Sequence, residues 1–262
     1  MNTAPPKVTI LGVAFDSLDY EELCACIDLR IASREPGYVV TPNTDHVCRY
    51  HRDPDFQHAY AGAFLVLPDG VPILWAAWLF RTPLRQKLSG SDLVPALAAY
   101  AAERGYSVYF LGGYPGTAAA TARILKGRHP ALRVAGVDCP EYGFHLNEAR
   151  NGEVLQQLKA SQADICFVAL GSPKQELWMR RHYGEASVPV MIGVGGTFDF
   201  VSGRIRRAPK WVQKAGFEWL WRLCQEPRRL WHRYLVEDML IFKLLWRESR
   251  QRRRKESSRP EE

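Results

Sequence analysis

Five short apolar runs in this chain each end in a polar or glycine-rich turn, and that layout constrains the fold more than any other feature. Tyr38-Val39-Val40 runs into Thr41-Pro42-Asn43, and Phe64 to Leu67 into Pro68-Asp69-Gly70. Ser107 to Leu111 meets Gly112-Gly113, Ile165 to Leu170 meets Gly171-Ser172, and the run from Val190 to Val194 meets Gly195-Gly196. Val8 to Phe15 reads as a first strand and Arg133 to Val137 as a further one. Segments of helical pattern separate the runs: Ser17 to Ser33, Leu93 to Arg104, Gly116 to Gly127, Asn147 to Ala160 and Pro173 to Tyr183. Val71 to Phe80 reads as a mostly buried helix. Strands that alternate with helices predict an α/β, Rossmann-like fold with a largely parallel sheet flanked by helices. In such sheets ligands bind beyond the carboxyl ends of the strands, where these polar turns fall.

The turns carry the candidate chemistry. Gly193, Gly195 and Gly196 permit a tight turn and close approach of a ligand to the backbone, and Asp199, Arg204, Arg206 and Arg207 follow. A phosphate there, near basic side chains, and an ordinary glycine turn are equally good readings of this stretch alone. At Gly171-Ser172-Pro173-Lys174-Gln175-Glu176, Ser172 suits an N-cap and Gln175 completes a capping-box pattern. Lys174 is left over from that account and would stand beside helix N–H groups that favour an anion. Asp69 could act as a general base with a value shaped by burial. By position alone an Asp-Gly turn explains it better.

Other chemistries are disfavoured. No Gly-x-Gly-x-x-Gly follows the first strand, and Gly193-x-Gly195-Gly196 precedes no clear helix, which argues against a nicotinamide enzyme. His46, His51 and His58 match no metal spacing and read as surface histidines. Asp53-Pro54-Asp55 falls in a helix-breaking loop, so a metal clamp on a diphosphate is not indicated. There is no Gly-x-Ser-x-Gly elbow. Six cysteines without a CxxC pair suggest free thiols in a reducing compartment.

Charge divides the chain. From residue 202 to 255 there are 16 Lys/Arg against 5 Asp/Glu, while the remainder holds 19 against 23. Beyond Pro209 no strand is expected, and Trp211, Trp219, Trp221, Trp231 and Tyr234 are interleaved with arginines. Basic, Trp-rich helices suit a membrane interface, or else cap the body. The most apolar stretch, Ala63 to Phe80, is interrupted at Pro68, Asp69, Gly70 and Pro72, so no membrane span is expected. The expected organisation is an α/β domain over 1–208, a helical membrane-associating appendage over 209–249 and a charged disordered tail over 250–262.

In combination, these residues closely resemble the WecG/TagA/CpsF glycosyltransferases (glycosyltransferase family 26). The matching segments include Thr41-Pro42-Asn43, Pro68-Asp69-Gly70, Ser89-Gly90-Ser91-Asp92-Leu93 and Phe110-Leu111-Gly112-Gly113. They continue with Gly171 to Glu176, Gly193 to Phe200, Arg207 to Trp211, Glu218 to Leu223 and Glu226 to Leu230, in the family's order. The resemblance implies an inverting transfer, without metal or other cofactor, from a UDP-sugar to a polyprenyl-diphosphate-linked saccharide. The place implied is the inner face of the bacterial cytoplasmic membrane, with the protein bound peripherally. The sugar implied is N-acetylmannosamine, its uronic acid or glucose.

The same resemblance maps the general base to Asp69 and further catalytic positions to Thr41, Asn43 and Gln175. Substrate binding is expected of Gly112, Gly113, Gly171, Lys174, Glu176, Gly195, Gly196 and Asp199. Where members carry an arginine this chain has Lys87, which keeps the charge and loses the bidentate fork; Arg85 could substitute. Arg222, Arg228, Arg229 and Arg233 are expected at the membrane or the lipid diphosphate.

Two rivals stay open: a basic nucleic-acid-binding protein, and a non-catalytic membrane-bound assembly factor of the same fold. The first leaves the strand-end turns unexplained, and no nucleic-acid partner is expected. The appendage aromatics would equally suit a homo-oligomer interface. A chain cut near Lys210 is expected to be more soluble and inactive; full activity of that truncation in a transfer assay would remove the role given to the appendage.

Overall fold

The computed structural model describes residues 5–257. Its centre is a six-stranded sheet in the order β4-β3-β8-β7-β5-β6, parallel at every pairing. These strands are β3 (Tyr38–Val40), β4 (Leu65–Val66), β5 (Ser107–Gly112), β6 (Arg133–Asp138), β7 (Ile165–Ala169) and β8 (Val190–Gly193). Side chains alternate across the sheet. Tyr38, Val40, Tyr109, Cys166, Val168 and Met191 join the core on one face; Val39, Phe110, Ile165, Phe167 and Ile192 join the core on the other. A sheet covered on both faces explains why these runs are continuously apolar.

The connections are helical: α1 (Tyr20–Ser33), α2 (Thr44–Tyr50), α3 (Pro54–Ala61), α4 (Val71–Leu79), α5 (Gly90–Arg104), α6 (Thr117–Arg128), α7 (Glu148–Ser161) and α8 (Lys174–Ala186). Asp19 caps α1 in a reciprocal capping box with Glu22. The chain leaves β4 at one edge, passes through α5 and re-enters at β5 near the other, which opens a crevice between the two halves.

Five expectations change here. Residues 8–15 are not one strand but a hairpin, β1 (Lys7–Ile10) and β2 (Val13–Asp16), outside the main sheet. Its turn uses left-handed backbone at Leu11 and Gly12, a geometry that only the glycine signals. Pro54 starts α3 rather than ending a helix, because Asp53 caps the free N–H groups and Pro fits the first turn. Thr197–Val201 after the glycine turn is a short helix, α9. Helix α4 is only half buried: Ile73, Ala76 and Ala77 face the core while Trp75, Trp78 and Leu79 face outward.

The fifth change concerns the C-terminus. After α10 (Lys210–Lys214), α11 (Glu218–Gln225) and α12 (Pro227–His232), a π-helical turn at Arg233–Glu237 leads into α13 (Leu240–Ser257). Residues 250–257 are thus helical and not a disordered tail; residues 258–262 lie outside those described. Leu230 and Leu244 are buried, each burial stabilising the docked appendage by about 1.5–3 kcal/mol.

Polar contacts hold α13 in register. Glu248 accepts the Leu11 N–H at 2.6 Å, and Arg252 donates to Phe80 O at 2.9 Å while pairing with Glu248. Replacing Glu248 with Ala leaves the Leu11 amide and Arg252 without that acceptor. Trypsin cleavage within α13 is expected to speed up roughly five-fold, about 1 kcal/mol of lost docking, with the sheet unaffected; unchanged cleavage would show that the apolar contacts alone suffice.

Candidate active site

The carboxyl ends of β4, β3, β8 and β7 open into one cavity of about 650 Å³. Its floor is built by turns. Thr41, just past β3, is buried and donates from Oγ1 to Gly193 O at 2.9 Å. Asn43 caps α2 by accepting the His46 N–H at 3.2 Å. Asp69, past β4, is held by its own N–H donating to Pro42 O at 2.9 Å. The loop carrying Lys87 is tied in by Leu88 N–H, which donates to Pro68 O at 2.9 Å.

The glycine turn past β8 depends on α8. The Gly195 N–H donates to Gln175 Oε1 at 3.0 Å, and Gln175 Nε2 donates to Glu176 Oε1 at 2.5 Å. So the capping-box expectation fails: Gln175 reaches across to the neighbouring strand, and the buried Ser172 Oγ has no hydrogen-bond partner. Gly196 has a steric reason. A Cβ there would lie 3.3 Å from an Arg222 guanidinium nitrogen, so the missing side chain lets the arginine reach the turn.

Burial pushes the Asp69 carboxyl up to about 7, opposed chiefly by the positive charge of Lys87. Lys87 is itself paired with Asp92 at 3.0 Å, which Arg207 also holds at 2.6 Å. An aspartate near 7 is half ionised at neutral pH, as a general base requires. His46, which lines the same cavity, is buried, and its Nδ1 lies 2.8 Å from Tyr60 Oη; burial lowers its affinity for a proton. His46 is therefore not the surface residue expected from sequence.

The appendage supplies the opposite wall. Arg222, Arg229 and Arg233 line the cavity, and the buried Nε atoms of Arg222 and Arg233 have no hydrogen-bond partner. Arg233 pairs with the buried Asp45 at 2.8 Å, and Arg229 with Glu226 at 2.7 Å. Unsatisfied buried guanidinium donors mark a place for an anion. Farther out the wall is apolar, with Trp75, Leu79, Leu235, Met239, Phe242 and Leu245.

Thr41, Asn43, Asp69, Lys87, Gly171, Gln175, Gly195, Gly196, Arg222, Arg229 and Arg233 thus come together. Others do not line this cavity. Arg85 pairs with Glu22 on the surface, so of the two basic candidates only Lys87 reaches the cavity. Lys174 stacks 3.6 Å over the Tyr142 ring, and Asp199 pairs with Arg204 at 3.3 Å. Gly112 and Gly113 end β5 in left-handed backbone, Glu176 is wholly buried behind Gln175, and Arg228 is exposed. Among the described residues no group of three His, Cys, Asp or Glu is arranged for a metal ion, and no helix is long and apolar enough to cross a membrane. His46, Tyr234 and the apolar wall were missed; only the spacing of His46 from Asn43 within the first turn of α2 hinted at any of them.

The Asp69 carboxyl has a clear sign for stability. Its folded value lies above its unfolded one, so ionisation opposes folding, and the penalty grows between about pH 4 and pH 7 and is full above. Asp69→Asn is therefore expected to melt higher than the parent chain at pH 8, with the gap closing toward pH 4; a gap independent of pH would contradict the burial.

Residues 8–255 match the family described as Glycosyl transferase WecG/TagA/CpsF. A relative from Bacillus spizizenii (strain ATCC 23059 / NRRL B-14472 / W23) is 30% identical over 199 residues, covering 76% of this chain and 75% of the relative. That protein is an N-acetylglucosaminyldiphosphoundecaprenol N-acetyl-beta-D-mannosaminyltransferase.

Proposed function

The chain belongs to the glycosyl transferase WecG/TagA/CpsF family, and on that premise we propose that it moves a hexose or N-acetylhexosamine-type sugar from a UDP-sugar to a polyprenyl-diphosphate-linked saccharide in bacterial surface polysaccharide synthesis. The observation that carries this reading is the make-up of this cavity. Its lining divides into a half-buried carboxylate at Asp69 with the guanidinium donors, and a set of apolar side chains. A diphosphate joined to an isoprenoid has that same division. The relative's name adds the N-acetylmannosaminyl group as the first donor to try.

In this mechanism Asp69 removes the proton from the acceptor hydroxyl. The freed oxygen attacks the anomeric carbon as its bond to the UDP phosphate breaks, and the electron pair leaves on the diphosphate. Attack opposite the leaving group inverts the centre, so an α-linked donor gives a β product, the configuration in the relative's name. Lys87 and the turn at Gly195 and Gly196 stabilise the departing charge. Arg222, Arg229 and Arg233 hold the acceptor diphosphate, which places the appendage in the site and at the inner face of the membrane. Thr41 and Gln175 act on the glycine turn, through Gly193 O and Gly195 N–H. Asn43 holds the start of α2 beneath the acceptor.

The test is UDP release from a panel of UDP-sugars with a lipid-diphosphate-sugar acceptor. Release that requires acceptor, occurs with one donor and falls roughly 10²–10⁴-fold in Asp69→Asn is expected. Its rate should rise with pH through about 7 as Asp69 ionises. UDP binding without release from any donor would favour a non-catalytic role.

A further inference from the structure

Helix α4 has no charged side chain, and its only polar side-chain groups are two indole N–H: its nine residues are Val71 to Leu79, VPILWAAWL. One side packs on the core through Ile73, Ala76 and Ala77. The other presents Trp75, Trp78 and Leu79, which are 53%, 76% and 55% exposed. These positions are spaced three and four apart and therefore share a face. A helix that is apolar all round belongs in a core or in lipid, and three large apolar side chains in water are a cost with no return. Exposed Arg81 follows at once.

The same face continues onto α13. Trp75 and Leu79 line the cavity mouth together with Phe242, which is 62% exposed. Arg252 ties α13 to the end of α4 by donating to Phe80 O and stacking on the Phe80 ring. Along α13, Lys243, Trp246, Arg247 and Arg250 are exposed at helical spacing, and Arg250 lies over the Trp246 ring. Tryptophans beside an unbroken set of cations complement an anionic headgroup region over an apolar interior.

We propose that α4 inserts into an anionic bilayer surface, so that the body itself touches lipid and the cavity mouth opens against it. The membrane contact proposed above belonged to the appendage alone; this one joins α4 of the α/β body to the exposed face of α13, and it stands whether or not the sugar transfer does. The orientation it sets lets an isoprenoid-bearing substrate enter along Trp75, Leu79 and Phe242 without leaving the lipid.

The test uses the full chain and vesicles of phosphatidylglycerol and phosphatidylcholine in equal parts. Trp78 lies outside the cavity wall and is mostly exposed, so Trp78→Gln should fold normally, checked by its melting temperature. Its vesicle partitioning is expected to fall roughly ten-fold. Brominated acyl chains should quench the parent chain, and Trp78→Phe should lose part of that quenching. Partitioning within two-fold of the parent, or no binding of the parent chain, would overturn the proposal. So would a dimer in solution that Trp78→Gln splits, because a second copy would then cover the face. Sugar transfer is read separately, with a short-chain acceptor in detergent, so that its failure cannot be mistaken for failure of lipid contact.

Discussion

The carboxylate of Glu176 is wholly buried, and what it can accept shapes the site. A carboxylate offers only acceptor oxygens, so the Gln175 amide must turn its NH₂ toward it. That leaves Gln175 Oε1 for the Gly195 N–H, and the turn past β8 is drawn toward α8. Thr41 holds the same turn from the other side through Gly193 O. Two neighbouring strands and one helix thus agree on the position of the glycines against which Arg222 packs. Buried networks of this kind are stiff when complete and costly when one member is lost.

Electrostatics then divide the cavity. Body and appendage each contribute charge, and most of it is already paired: Lys87 with Asp92, Arg207 with Asp92 and Glu218, Arg233 with Asp45. Asp238, at the foot of α13, is pushed up to about 7 by burial and by the charge of Asp45. Asp69 is raised for the same first reason, loss of water. The buried Nε atoms of Arg222 and Arg233, both cavity-lining, are left without a hydrogen-bond partner, so the cavity is cationic where its wall comes from the appendage.

Much of this was legible in the chain. The central strands and the turns at Thr41, Asp69, Gly171 and Gly195 follow from short apolar runs ending at residues that favour turns. Capping chemistry at Asp19 and Asn43 is equally local. What escaped was decided at a distance. The hairpin at Leu11 is fixed by a left-handed leucine and by Glu248, 237 residues away. Gln175 matched a local cap pattern but found its partner on the next strand. The outward face of α4 is as apolar as its inward face, so composition could not tell which side meets the core. The appendage read as basic and aromatic, yet nothing local says that its arginines turn inward while Trp246 turns outward.

The clasp between α13 and the N-terminal hairpin also has a consequence in time. A ribosome delivers the hairpin first and Arg252 more than two hundred residues later, but Arg252 donates to Thr9 O and Glu248 receives the Leu11 N–H. The sheet can assemble while synthesis continues; the wall carrying Phe242 and Leu245 has nothing to close against it until translation has passed residue 252. A nascent chain therefore carries its base and glycine turn in an open groove, and gains the wall opposite α4 only as α13 emerges.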